Sequence, residues 1–583
     1  MPAIKITGFQ GELPKIDPRH LPDTAAADAQ DVRLDDGILT PIRRSILTTT
    51  GLVANAQTIY DFNGTWLSWA GVVHAAPGPV AEDRLYYTGD GAPKMRIGAT
   101  TYDLALPKPA NTLTGVVSGS GSGNNITRVY VFTYVTDQGE ESEPSPASAQ
   151  ITLQPGQTVT LSNFDAVPAG RVTKQRIYRT QTGNNGTGLY LIDERAVTAA
   201  DYVDTIPVDQ FQEALPSLNY NAPPADLQGL VAMDNGMMAA FKGKQIYFCE
   251  PYQPHAWPEI YVLTTKDTIV GMAYIGNILV VMTEGNTVIC GGSMPEAMQM
   301  DRLEADFPCI NVRSIVDLGY AVVYASNNGL VSVNGAGQHT LVTDAMFNRD
   351  SWQEMSPQTF VCTHHDGKYC AFYDYVDQIG KKQAGMLLID LGSPWLARSA
   401  ITGTAAFNNR KTNAMIYVAK GETNAYRYDA PLTARENMYW KTKEFILPYP
   451  ENFGALRVEG DDGLTDSELD YLESYKDVVV AANDAKISGG LTQGSINSHS
   501  INAVSLGGDA LDPVPATTTE DGAAISTIRV IADDKIVFET STLNKTHRLP
   551  SGFKARKWEI DVSGNVRVDQ IHMARTIAEL ART

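Results

Sequence analysis

Asn235–Phe241 reads NGMMAAF and Gly276–Met282 reads GNILVVM. In each, a turn pair that tolerates a left-handed backbone hands over directly to an apolar run, the pattern of a tight hairpin. The arrangement recurs at Asp317-Leu318-Gly319 before Ala321–Ala325, at Asp366-Gly367 before Tyr369–Tyr373 and at Asn408-Asn409 before Ala414–Val418. Counted at residues 236, 276, 319, 367 and 409, the spacings are 40, 43, 48 and 42. A repeat of about 40–50 residues, each a small hairpin sheet, predicts a β-propeller. A plain stack of hairpins in sandwiches is the alternative architecture. Asn63-Gly64, between Ile59–Phe62 and Trp66–Trp69, has the same form, so the repeat starts well upstream.

Working outward, residues 108–224 read as a foreign unit. A Gly/Ser tract leads into Thr127–Thr136, TRVYVFTYVT, where Tyr130, Phe132 and Tyr134 alternate onto one face. Short strands follow at Gln150–Leu153, Thr158–Leu161, Arg176–Arg179 and Leu189–Ile192, the spacing of a fibronectin-like β-sandwich. The expected fold is therefore mainly β: propeller-like hairpin repeats over residues 51–107 and 225–440, interrupted by that insert. Residues 1–50 form an extended N-terminal segment, since Gly8, Gly11, Pro14, Pro18 and Pro22 break any early helix. Within it Thr24–Val32, TAAADAQDV, predicts two helical turns capped by Asp23 or Thr24. Residues 441–583 read as a platform-like α+β C-terminal domain. Its capping box Thr465-Asp466-Ser467-Glu468 starts a helix with Leu469, Leu472, Tyr475 and Val479 on one face. Strands then follow at Ile525–Ala532, Lys535–Thr540, Lys557–Val562 and Val566–Ile571.

The 583 residues carry 46 basic and 66 acidic groups, a net charge of −20. That balance argues against gripping nucleic acid, whose phosphates require clustered Lys and Arg. It suits a surface that DNA slides past. No run approaches the ~18 apolar residues of a membrane span, and Met1–Gln10 holds no apolar stretch of a secretion signal. Five Cys between Cys249 and Cys370 are too few for a disulfide framework, so a reducing cytoplasm is the expected site of synthesis. Charge is uneven near the end. Asp461–Leu543 holds 15 acids and 4 bases, whereas Asn544–Thr583 holds 8 bases and 4 acids. Such opposite regions fit a contact between neighbouring subunits, with Arg548, Lys554, Arg556 and Lys557 as the expected interface residues. A solvated strand edge kept from aggregating by positive charge explains the same residues.

Catalytic motifs are absent: there is no G-x-S-x-G, no G-x-x-x-x-G-K-[ST] and no H-E-x-x-H. Acids such as Asp61, Asp90 and Asp234 stand at turns, where Asp is favoured anyway, so no enzyme activity and no cofactor are expected. One metal candidate stands out. Cys362 and His364 share a strand face, and Cys370 returns across the Asp366-Gly367 turn, so three ligands of zinc type come near one another. Only one ligand arm is present, and a buried hairpin with small apolar Cys accounts for the same residues.

Three stretches together resemble the tail nozzle proteins (tail tubular protein B) of short-tailed bacteriophages. The first is Phe9–Arg44, FQGELPKIDPRHLPDTAAADAQDVRLDDGILTPIRR. The second joins Tyr130–Pro146 and Arg176–Thr180 with Tyr247–Val270, in which Pro254-His255-Ala256-Trp257-Pro258 is the most distinctive piece. The third is Arg548–Leu580, RLPSGFKARKWEIDVSGNVRVDQIHMARTIAEL. The resemblance implies a structural virion protein, made in the host cytoplasm and built into the phage tail as a ring of six copies. Adaptor and portal would lie above it and tail fibres beside it, and DNA would pass through the lumen without sequence-specific binding or membrane insertion. A lumen wall richer in acid than base is expected on that reading. The runner-up is a peripheral receptor-binding or glycan-binding propeller displaying Trp66, Trp69 and Trp257, whose other role is core packing. A tail-borne depolymerase is a third class.

Overall fold

Four of the five repeat turns join the first two strands of a four-stranded antiparallel meander, and the fifth, expected at Asn408-Asn409, falls at residues 410–413. Asn235, Gly236, Gly276, Gly319, Asp366 and Gly367 all have positive φ, which is why Asn, Asp and Gly occupy these turns. The structure is a computed structural model and describes residues 3–183, 186–208, 210–303, 307–377, 379–461, 474–485 and 526–580. It comprises two units. One holds Met1–Ile59, Val323–Ser332 and Thr340–Thr583; the other holds Tyr60–Val322 and Val333–His339.

In the second unit, period-2 alternation turns each meander into a two-faced layer. The sheet of Gln228–Ala232, Met238–Lys242, Gln245–Phe248 and Leu263–Thr264 shows it best. Ala239, Phe241, Ile246 and Phe248 pack with Met272, Leu279, Val281 and Cys290 of the next meander, Ile269–Arg302. From the other face, Met238, Ala240, Tyr247 and Cys249 pack with Ala76, Tyr86 and Met95 of the preceding one, His74–Asp103. Successive four-stranded sheets stacked face to face are the construction of propeller blades. The Asn63-Gly64 hairpin is a separate two-stranded pair, Thr58–Phe62 with Thr65–Trp69.

The segment between them forms small antiparallel sheets around one core. Tyr130, Phe132 and Tyr134 meet Ile151, Val159, Leu161, Phe164 and Ile177 there, as their alternation predicts. The opposite face of the same strand is also covered, by Tyr178 and Leu191 against Val131. The segment Ser142–Ser148 runs beside Tyr130–Thr136. Ser142, Ser145 and Ser148 each donate a backbone N–H to that strand and accept one of its N–H groups on Oγ.

In the first unit, the meander Val361–Ser399 continues sideways into Ala26–Gln30, Met438–Thr442, Ala555–Gly564, Ser526–Ala532 and Lys535–Thr540. The two turns of helix expected at Thr24–Val32 are therefore a strand. Ala26, Ala29 and Gln30 pair with Thr442, Trp440 and Tyr439, and Ala25, Ala26 and Ala29 are fully buried. So short an alanine-rich run has little helical stability by itself, and small side chains suit a tightly covered strand. The sheet Gly403–Arg427 takes its fourth strand, Ile46–Thr49, from the N-terminal segment. Ile4–Ile6 pairs with Ile571–Met573, placing the beginning and end of the chain in one sheet. Of the C-terminal helix, Thr465–Glu468, Leu469 and Leu472 lie outside the described residues. Residues 474–485 are helical, with Val479 buried and Tyr475 exposed.

Candidate metal centre

The hairpin Val361–His365/Lys368–Val376 sets strand parity for the zinc reading. Thr363 faces Cys370 across the ladder, and His365 faces Lys368. Cross-strand partners share a sheet face, so Cys370 lies on the face of Val361, Thr363 and His365. Cys362 and His364 lie on the other. The set Cys362, His364 and Cys370 therefore does not converge. Cys370 is instead core, packed with Phe372, Met415 and Tyr428, and burial pushes its thiol up to about 12.

A different set converges one residue along. His365 closes the inward face of the strand, and Asp366 follows it in the turn with φ 46°. Asp429 arrives from beyond the last strand of the neighbouring sheet, directly after Tyr428, whose ring stands edge-on to His365 at 5.2 Å. His365 Nε2 is 3.5 Å from Asp366 Oδ2 and 3.7 Å from Asp429 Oδ2. Both distances exceed hydrogen-bond reach, and the three ligand atoms lie within 4.8 Å of one another. Each carboxylate is held from behind. Asn413 Nδ2 donates to Asp366 Oδ1 over 2.7 Å, the Arg43 amide to Asp429 Oδ1 over 2.7 Å, and Arg33 Nε to Asp429 Oδ2 over 2.9 Å.

His365, Asp366, Asp429 and Arg33 line a cavity of about 20 Å³ together with Asp35, Lys368 and Tyr428. Neither ring nitrogen of His365 has a hydrogen-bond partner, nor has the Tyr428 hydroxyl, although His365 is 9% and Tyr428 1% exposed. Buried polar atoms normally find partners, and here three unpartnered ones lie side by side on His365 and Tyr428. Sequence reading missed it because Asp429 lies 64 residues beyond His365. Its one local signal was the His365-Asp366 pair ahead of Gly367.

The other singled-out residues have structural surroundings. Arg548, Lys554 and Arg556 are exposed, and Arg556 donates to the Pro448 carbonyl at 3.3 Å. Lys557 is half-buried between Glu444 at 2.8 Å and Asp534 at 2.7 Å, which raise its pKa. Trp257 is 1% exposed, with its indole N–H on the Pro254 carbonyl, whereas Trp66 and Trp69 are half-buried. Asp61 caps its own turn through the Gly64 amide, Asp90 pairs with Lys94 and Asp234 accepts from Tyr274.

No protein-family model matches the chain, and no curated protein matches it in sequence. Among solved structures it is similar to BBS1N in complex with ARL6DN, at 9% identity and a TM-score of 0.27, over 67% of this chain and 98% of that one. Sqt1 of Saccharomyces cerevisiae is matched at 8% identity and a TM-score of 0.24, over 67% and 100%. BamB of Moraxella catarrhalis is matched at 11% identity and a TM-score of 0.22, over 44% and 77%.

Proposed function

We propose that this chain is a structural virion protein, the subunit of a six-membered nozzle ring at the end of a short phage tail, through which DNA leaves the particle. The observation that carries this reading is the joining of the two terminal stretches that resemble the nozzle family. Ile4, Ile6, Phe9, Leu13, Leu21, Leu34 and Leu39 share one hydrophobic core with Leu549, Trp558, Val568, Ile571 and Met573. Stretches far apart in sequence thus share one core, as a single platform built from both ends of the chain requires. The acidic balance, −20 per chain, supports passage of DNA over retention. The absence of catalytic motifs supports a structural role.

Particle images of the purified full chain test this. Six-fold rings with a central hole are expected. A monomer or trimer overturns the ring and favours the peripheral receptor-binding alternative. That alternative loses Trp257 as a display residue, because the indole is core. Cleavage of host polysaccharide on incubation would replace both readings with a depolymerase.

A further inference from the structure

We infer that His365, Asp366 and Asp429 bind one divalent cation of borderline softness, with zinc as the best geometric fit, clipping two neighbouring sheets of the first unit together. Zinc bonds of about 2.0–2.2 Å in a tetrahedral set place adjacent ligand atoms about 3.3–3.6 Å apart. The 3.5 Å separation of His365 Nε2 from Asp366 lies on that edge and the 3.7 Å separation from Asp429 falls just beyond it, and both are too long for direct hydrogen bonds. A buried imidazole with both nitrogens unpartnered, facing two carboxylates across a cavity, has a lone pair to offer and no protein donor to receive it. One imidazole and two carboxylates are ligands for zinc, and water completes the four.

The surrounding shell suits the assignment. Ligating carboxylates are themselves hydrogen-bonded in metal sites, and here Asn413, the Arg43 amide and Arg33 supply those bonds. Arg33 occupies one lone pair of Asp429 Oδ2 and leaves the second for the ion. Asp35, Asp366 and Asp429 bring three negative charges against Arg33 and Lys368, so the protein itself contributes a net −1 before the cation arrives. His365 and Asp366 stand on the Val361–Val376 hairpin, whereas Asp429 follows the sheet Gly403–Arg427. A shared ion therefore ties the two sheets, and its binding free energy adds to their stability.

The test uses the full chain stripped with a chelator and titrated with Zn²⁺ by calorimetry, and with Co²⁺ followed by visible absorption. One Zn²⁺ per chain is expected, with a raised melting midpoint and the intense cobalt bands of a four-coordinate site. His365→Gln and Asp366→Asn should each weaken binding by about tenfold or more. Asp366→Asn is the safeguard against misfolding, because the residue is exposed in a turn where Asn tolerates the same positive φ. No saturable binding in the wild-type chain overturns the site. Unchanged affinity in the folded Asp366→Asn and His365→Gln chains overturns it equally.

Discussion

Arg398 donates from Nε to Glu12 Oε2 over 2.8 Å, tying residues 386 positions apart within the extended sheet of the first unit, where Glu12 bridges to Ala26 and Leu396. Glu12 is 6% exposed, and its other oxygen accepts the Ala29 amide at 3.1 Å. Burial raises the Glu12 carboxyl above its ordinary value despite Arg398. The sign follows from linkage. The unfolded chain gives up this proton at lower pH than the folded one, so the group costs stability as pH rises from the unfolded value through the folded one. Glu12→Gln keeps an acceptor for Ala29 and removes the titration. Its urea midpoint should gain on wild type as pH rises above the ordinary glutamate value; a falling difference contradicts the assignment. Arg398→Ala, which leaves the carboxylate buried and unpaired, should cost about 3–5 kcal/mol.

The pairing of chain ends makes a second expectation. Ile4 and Ile6 are buried, at 5% and 0% exposure, and their strand covers the edge of Arg567–Ala574. Removing residues 1–8 should lower the melting midpoint and promote aggregation by opening a sheet edge. Ile6→Ala alone should cost about 2–5 kcal/mol. Light scattering and thermal melts read both, and an unchanged midpoint in the shortened chain refutes the role of the strand.

Residues 112–216 should be removable, at a cost the sequence did not announce. The sandwich has its own core, but its edges serve the rest of its unit. Arg84 donates to Gln138 at 2.7 Å, Arg171 lies 5.1 Å over the Tyr102 ring, and His255 Nε2 meets the Glu141 carbonyl at 3.0 Å. A chain with Thr112–Pro216 replaced by a short Gly/Ser bridge should still melt cooperatively. Its midpoint should fall, because contacts worth roughly 1 kcal/mol each are lost. Loss of the cooperative transition means the segment is part of the core.

The repeat was legible because its signal is local: Asn, Asp and Gly at positive φ announce themselves wherever a tight hairpin needs them. Non-local decisions were not. Ala26–Gln30 carries a helix-like composition, and only its partner Met438–Thr442, some 400 residues away, makes it a strand. Nothing near Ile46–Thr49 says that it completes the sheet Gly403–Arg427. The site failed by one residue of parity. Cys362 and His364 do share a strand face, yet the ladder puts Cys370 on the opposite one, with Thr363 and His365. The third ligand then comes from Asp429, which no spacing rule connects to the hairpin.

Thiol chemistry checks the core directly. Cys249, Cys290, Cys309 and Cys370 are buried, and burial pushes each thiol up to about 12. Cys362 is half-buried. The thiolate is the reactive form, so near pH 8 a disulfide reagent should label Cys362 alone in the native chain and all five thiols after denaturation. Fast labelling of several native thiols contradicts the packing of the hairpin sheets.

On the ring proposed above, the basic C-terminal residues separate assembly from folding. Arg548 and Lys554 are exposed and make no ion pair among the described residues. Lys557 is engaged within the chain: Glu444, Asp534 and Glu559 surround its ammonium at 2.8, 2.7 and 3.6 Å. Arg548→Ser with Lys554→Ser should therefore leave the melting midpoint within about 0.5 kcal/mol of wild type while weakening ring formation and its dependence on salt. Lys557→Ser should do the reverse, lowering stability by about 1 kcal/mol, because Glu444 is left with Arg19 alone and Glu559 with Lys441 alone. Glu444, held below its ordinary value chiefly by the hydrogen bond from Lys557, would then titrate higher. The stabilising part of that pair is present above the unfolded carboxylate pKa and disappears as pH falls through the folded one, so the deficit of Lys557→Ser should shrink in acid. Rings of unchanged stability and salt response in the Arg548/Lys554 double variant would remove these two residues from the subunit contact and leave them as a solvated strand edge.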